Sequence, residues 1–237
     1  MRLAERHAIV TGGGTGIGAA IAAALEAEGA KVSRLGRRLE KLGPNGIAAD
    51  VTDRAQVDAA FASARGRNGP ISILVNNAGA AHGVPFAKVT GELWREMLAV
   101  NLDSLLYCCQ AALADLRAAD EGRIVTIASM AGLYGFAYAS PYIAAKHGAV
   151  GLMRALAAEY AGTGLTANAV CPGFVDTEMT VESVANIRAK TKRSEEEARG
   201  ELARLNPSGR LIAPEEVASA ALDLILSARN GEAVEIA

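Results

Sequence analysis

Tyr142 and Lys146 are the residues best able to move a proton. Residues four apart on a helix share a face, so phenol and ammonium open onto one space. A free phenol, with a pKa near 10, is a poor acid–base at neutral pH, and a neighbouring lysine cation favours the phenolate. Twelve residues separate Tyr142 from Ser129, which follows an apolar run, Arg123–Ala128. At the carboxyl end of a central strand, a hydroxyl sits where ligands collect in open α/β sheets.

A second constellation lies near the amino terminus, in Thr11-Gly12-Gly13-Gly14-Thr15-Gly16-Ile17-Gly18. Glycines there let backbone approach a pyrophosphate, and the uncapped N–H groups of the following helix favour its charge. The spacing is T-G-x-x-x-G-x-G, since Ile17 stands where the last glycine of G-x-G-x-x-G would fall. A nicotinamide dinucleotide held there would add its own positive ring to the lysine in stabilising a Tyr142 phenolate. An NAD-preferring site usually ends its second strand in a carboxylate, yet Gly36 occupies that position and Arg37 and Arg38 follow. A guanidinium suits a 2′-phosphate, with Thr15 facing it, so NADP(H) is favoured and NAD(H) remains open.

These groups need a scaffold. Short β-rich runs alternate with longer helical ones, the signature of a parallel sheet covered on both faces. Strands are predicted at His7–Thr11, Lys31–Leu35, Gly46–Ala49, Ile71–Val75, Arg123–Ala128, Leu165–Cys171 and Ala233–Ile236. Helices are predicted over Ile17–Glu28, Val57–Ala64 (entered through Thr52 or Asp53), Glu92–Arg117, Pro141–Ala161 and from Pro214. Arg37–Leu42 leaves room for barely a turn before Gly43-Pro44-Asn45-Gly46, so the second crossover is a stub. Glu182–Leu205 is charged, and Ser194–Glu197 forms a capping box for its second helix. The expected architecture is α/β: one Rossmann-like, doubly wound domain over residues 1–237, with a seven-stranded, mostly parallel sheet and helices on both faces. A lid-like insertion covers about 176–210.

The bulk numbers fit. The chain has 237 residues, half of them apolar and a fifth charged, and a formal charge of −2. That balance gives no reason to expect nucleic acid or an anionic membrane as a partner. No leader is expected before the first strand, and no apolar run is expected to reach membrane-spanning length. Cys108, Cys109 and Cys171 lack metal-ligand spacing and read as reduced thiols, pointing to a cytoplasmic setting.

In order along the chain, Thr11-Gly-x-x-x-Gly16-x-Gly18, Asp50-Val51, Asn76-Asn77-Ala78-Gly79, Asn101, Ser129, Tyr142-x-x-x-Lys146 and Pro172-Gly173 resemble the short-chain dehydrogenase/reductase family. The resemblance implies interconversion of a ketone and a secondary alcohol by hydride transfer, with a 3-ketoacyl thioester or a small or aromatic ketone as substrate. Tyr142 would be the acid–base, Ser129 would bond the substrate oxygen, and Lys146 would perturb the tyrosine and hold the nicotinamide ribose. Asn101 would position a water leading from Lys146 to solvent. Gly12, Thr15, Gly16, Ile17 and Gly18 would face the pyrophosphate; Asp50 and Val51 would contact the adenine; Asn77, Ala78 and Gly79 would flank the cofactor. The turn carrying Pro172, Gly173, Val175 and Thr177 would hold the carboxamide. The family also implies helices paired across a two-fold axis, hence a homo-oligomer, a tetramer. The chain ends at Ala237, short of the glycine-containing tail many relatives carry.

Other residues read less sharply. Asn101 could be a helix-interior polar group and Asp50 a helix cap. His147 is turned away from the Tyr142–Lys146 face, whereas His82 could line a pocket mouth. Tyr134, Phe136 and Tyr138 could overhang the reacting carbon. Arg188, Lys190, Lys192 and Arg193 are a solvated face or a receiver of thioester phosphates. The rival class is a non-catalytic NADP(H)-binding sensor on the same fold.

Overall fold

The computed structural model describes residues 1–237, the side chain of Lys190 excepted. In chain order the elements are β1 His7–Thr11, α1 Gly16–Ala27, β2 Lys31–Gly36, β3 Gly46–Ala48, α2 Arg54–Asn68, β4 Ile73–Asn76, α3 Gly91–Leu98 and α4 Ser104–Ala118. Then follow β5 Arg123–Ile127, α5 Ser140–Glu159, β6 Thr166–Pro172, α6 Glu178–Lys190, α7 Glu195–Arg204, α8 Pro214–Leu226 and β7 Ala233–Ile236. The sheet runs β3-β2-β1-β4-β5-β6-β7 with every neighbouring pair parallel.

Strand side chains alternate between two cores, as the two-residue period of a strand requires. Ile9, Leu74 and Ile124 face α2, α4 and α5 through Phe61, Leu116 and Met153. Ala8, Val10, Ile73, Val75 and Val125 face α1 and α8 through Ile21, Leu25, Val217 and Leu224. Strand order reverses between β1 and β4, so a crevice opens outside the carboxyl ends of the strands. A third, small cluster of Val184, Ala198 and Leu202 holds α6 to α7.

The second crossover is the expected stub, a single 3₁₀ turn at Leu39–Lys41. Asp53 caps α2, accepting from Ala55 N and Gln56 N, and the Ser194–Glu197 capping box opens α7. Two expectations need correction. The helix predicted over Glu92–Arg117 is α3 and α4 separated by a π-turn, Ala99–Asp103, whose one trace in the helical pattern is the polar Asn101. The stretch Gly91–Ala118 is also, by length and composition alone, apolar enough to cross a membrane. Its buried side chains pack on α2, α5 and β4, which makes it a core helix of this fold.

Candidate active site

Tyr142 and Lys146 project from the first two turns of α5, whose start is set by Pro141. Lys146 is buried, and its ammonium donates to the carbonyl of Ile127, the last residue of β5, at 3.0 Å. The same nitrogen stands 5.6 Å from the centroid of the Tyr142 ring. Ser129 begins a 3₁₀ turn, Met130–Gly132, and its Oγ accepts from Ala131 N at 3.1 Å, which aims the hydroxyl at the Tyr142 phenol. Small Gly132 lets that turn close on α5, because a side chain there would begin 2.8 Å from the Lys146 carbonyl.

Burial governs the titration. It lowers the Lys146 ammonium to about 8. It also raises the Tyr142 phenol above its usual 10, with the Ser129 hydrogen bond pulling the other way. Without the positive nicotinamide that was expected to act with Lys146, desolvation of the phenolate outweighs the Ser129 hydrogen bond, and the Lys146 ammonium donates to Ile127.

Asn101 lies in the π-turn. Its side chain donates to Met97 O at 3.0 Å and to Ala80 O at 2.9 Å. Its Oδ1 accepts from Ala80 N at 3.3 Å. The residue thus fixes the segment after β4 above the site. Gly79 makes this possible, since a Cβ there would start 2.9 Å from Asn101 Oδ1 and 3.6 Å from Lys146 Nζ.

The glycine-rich turn offers a cradle that fits a pyrophosphate. Thr15, the N-cap of α1, makes no side-chain cap bond and no acid occupies the first turn, so the helix presents bare N–H groups. Gly12, Thr15, Gly16 and Ile17 line the cleft, which has a volume of about 980 Å³. One assignment changes. Gly18 does not line the cleft; a Cβ there would meet Gly12 O at 2.2 Å, so this glycine lets α1 seat on the turn. Asn77 and Ala78 line it, but the Asn77 amide is spent on the carbonyls of Thr11 and Gly12, at 2.9 and 3.2 Å. Thr11 Oγ1 accepts from both Asn77 N and Ala78 N, which locks β1 to β4 at the switch point.

At the adenosine end, Arg37, Arg38, Asp50 and Val51 line the cleft. Asp50 is not a helix cap; it closes a turn with Thr52 N and Oγ1 and leaves capping to Asp53. Arg38 and Lys41 are both bound by Glu178 of α6, at 3.0 and 2.7 Å. Lys41 and Glu178 carry no local sequence signal and were not among the predicted site residues.

Pro172, Gly173, Val175 and Thr177 line the other end. Their turn is held by Asn206, a buried residue missed by sequence reasoning. Its side chain accepts from Phe174 N at 2.8 Å and donates to Phe174 O and Arg210 O at 2.9 and 2.6 Å. Gly173 is required beside it, because a Cβ would begin 2.2 Å from Asn206 Oδ1.

Phe136, Tyr138 and His82 also line the cleft, and His147 is exposed, as expected. Tyr134 departs from expectation: it turns outward and donates to Glu235 at 2.8 Å. Around α6 and α7, Arg188 and Arg193 pair with Glu195 and Glu201, and the Lys190 side chain lies outside the described residues. A carboxylate beside each arginine weakens the phosphate-receiving reading of that cluster.

A family model described as short chain dehydrogenase matches residues 6–188. The chain is 40% identical over 230 residues to a putative ketoacyl reductase of the granaticin polyketide synthase of Streptomyces violaceoruber, covering 91% of this chain and 85% of that protein. It is 36% identical over 229 residues to the 3-oxoacyl-acyl-carrier-protein reductase FabG of Escherichia coli K12, covering 93% and 89%. A crystal structure of a variant actinorhodin polyketide ketoreductase with NADPH superposes with a TM-score of 0.93 at 34% identity, covering 99% of this chain and 97% of that one.

Proposed function

The chain belongs to the short-chain dehydrogenase family, and we propose that it interconverts a 3-ketoacyl thioester and its secondary alcohol with NADP(H). One observation carries the reading: Tyr142, Lys146 and Ser129 meet in the same cleft as an uncapped, glycine-lined helix N-terminus. Ketoacyl reductases among the relatives support the thioester. So do the apolar side chains Phe136, Phe174, Met179, Ile187 and Leu205, which line the same cleft as Ser129.

In reduction Tyr142 gives its phenol proton to the carbonyl oxygen, and in oxidation it takes that proton back. Burial suits the first role, since a raised pKa keeps the proton in place until charge develops on substrate oxygen. Ser129 donates to the same oxygen and stabilises that charge. When bound, the nicotinamide supplies or accepts the hydride. Lys146 holds the ribose and backs the tyrosine, and Asn101 keeps an Oδ1 lone pair for a water leading to solvent. Thr15, Gly16 and Ile17 hold the pyrophosphate; Asp50 and Val51 flank the adenine; the Gly173–Thr177 turn grips the carboxamide. Gly36 brings no carboxylate against a 2′-phosphate, and Arg37 supplies a cation.

Residues 1–237 act as one domain with α6 and α7 as its lid. The partly exposed Trp94 of α3 and Leu106 of α4 support a homotetramer built on the α3–α4 stretch and α5. Free, buried thiols support a cytoplasmic setting.

The test is turnover of acetoacetyl-CoA, small ketones and aromatic ketones with NADPH and NADH, followed at the nicotinamide absorbance band. The thioester with NADPH should give the highest kcat/KM, with NADPH ahead of NADH by roughly 10–100-fold, as a charge-assisted bond to phosphate allows. A higher kcat/KM with NADH rejects the cofactor reading. Nucleotide binding without turnover of any carbonyl favours a sensor.

A further inference from the structure

Three cations line the adenosine end of the cleft, and they are not equally available. Arg37 makes no ion pair among the described residues, whereas Arg38 and Lys41 share the two oxygens of one carboxylate, Glu178. The partners come from opposite walls. Lys41 closes the short turn after β2, and its carbonyl lies 3.0 Å from where a side chain on Gly14 would begin, so this turn is seated against the glycine-rich loop. Glu178 opens α6 on the far side, next to Thr177, whose Cγ2 lies 3.0 Å from where a side chain on Gly16 would begin. The carboxylate therefore reaches over the nucleotide-binding turn to two cations that follow the second strand.

We propose that Glu178 tunes cofactor affinity: its carboxylate competes with the 2′-phosphate of NADP(H) for Arg38 and Lys41. The proposal rests on the NADP(H) reading above. A phosphate arriving at Arg37 must draw the other two cations from a group of its own sign, and the carboxylate that remains nearby repels it. All three members of the clasp are partly exposed, so solvent and salt screen the effect. The clasp thus weakens NADP(H) binding without abolishing the preference, and it favours release of the oxidised cofactor after turnover.

The experiment is titration of the full-length protein and of Glu178→Gln with NADPH, NADH and adenosine 2′,5′-bisphosphate, by calorimetry at low and high KCl. Removing one charge a few ångströms from a partly exposed phosphate corresponds to a roughly 3–30-fold change in Kd. Glu178→Gln should therefore bind NADPH and the bisphosphate about 3–30-fold tighter, and the gain should shrink at high salt. NADH affinity should change less than about threefold. A structural role for Glu178, such as holding α6 in place, would weaken both dinucleotides together, and that result overturns the proposal. So does an unchanged NADPH affinity in a protein that still prefers NADPH, which leaves the cofactor reading intact. If wild type shows no preference while Glu178→Gln acquires one, the clasp stands and the wild-type preference falls. If neither shows one, both readings fall.

Discussion

At the Tyr142 end of the cleft, Lys146 is 5% exposed and tied to the backbone of β5. At the adenosine end, Arg38 and Glu178 are 56% and 53% exposed and are held by each other. The first region is held by burial of Lys146 and Asn101, by a π-turn and by hydrogen bonds to backbone. The second rests on ion pairs in high dielectric, each worth less than about 1 kcal/mol and sensitive to salt. Chemistry is thus placed where geometry cannot drift, and cofactor choice where one charge can shift a ratio. Substitutions should collapse turnover at one end and change affinities modestly at the other.

The largest effect expected is at Tyr142. Tyr142→Phe removes the proton donor and leaves the ring, so kcat should fall by roughly 10²–10⁴ while the Kd for NADPH holds. Turnover near wild type would show that the buried end is not where protons move. Asn206→Leu comes next, because it leaves Phe174 N without its acceptor and frees the turn after β6. An unsatisfied buried donor costs about 1–3 kcal/mol, so the KM for NADPH should rise about tenfold or more at unchanged fold by circular dichroism. An unchanged KM would assign Asn206 to packing alone.

The smallest effect sharpens the electrostatic side of the comparison. The folded-state pKa of Lys146, about 8, lies below the ordinary 10.5. Between these values the unfolded chain binds more protons, so stability rises with pH across the window. The cost of the buried charge is therefore full below about pH 8 and is relieved above it. Measured without nucleotide, wild type should gain a few degrees in Tm relative to Lys146→Met between pH 8 and 10. Above pH 10 the raised Tyr142 works in the opposite direction. Parallel Tm curves would mean that Lys146 is solvated.

Much of the buried end was legible because its signals are local. Alternating strands, the glycine turn and the four-residue spacing of Tyr142 and Lys146 each follow from a short-range period. What escaped was long-range or silent. Asn206 meets Phe174 across 32 residues, and Glu178 meets Arg38 across 140, with no pattern to announce either pair. The π-turn left one trace, a polar Asn101 within an apolar run. Loop direction is not encoded in spacing, so nothing in the sequence separates Tyr134, which faces Glu235, from Phe136 and Tyr138, which line the cleft. Gly18 reads as a cofactor contact because a glycine motif looks alike whether it touches a ligand or lets a helix seat on a turn.

The central claim is hydride transfer to a carbonyl under control of Tyr142. It is tested most directly by incubating the protein with acetoacetyl-CoA and NADPH carrying deuterium on the transferable position. Mass spectrometry should find one deuterium on the carbinol carbon of the product, formed by wild type and nearly absent with Tyr142→Phe. No alcohol, or alcohol without the label, from a protein that binds NADPH would contradict the account.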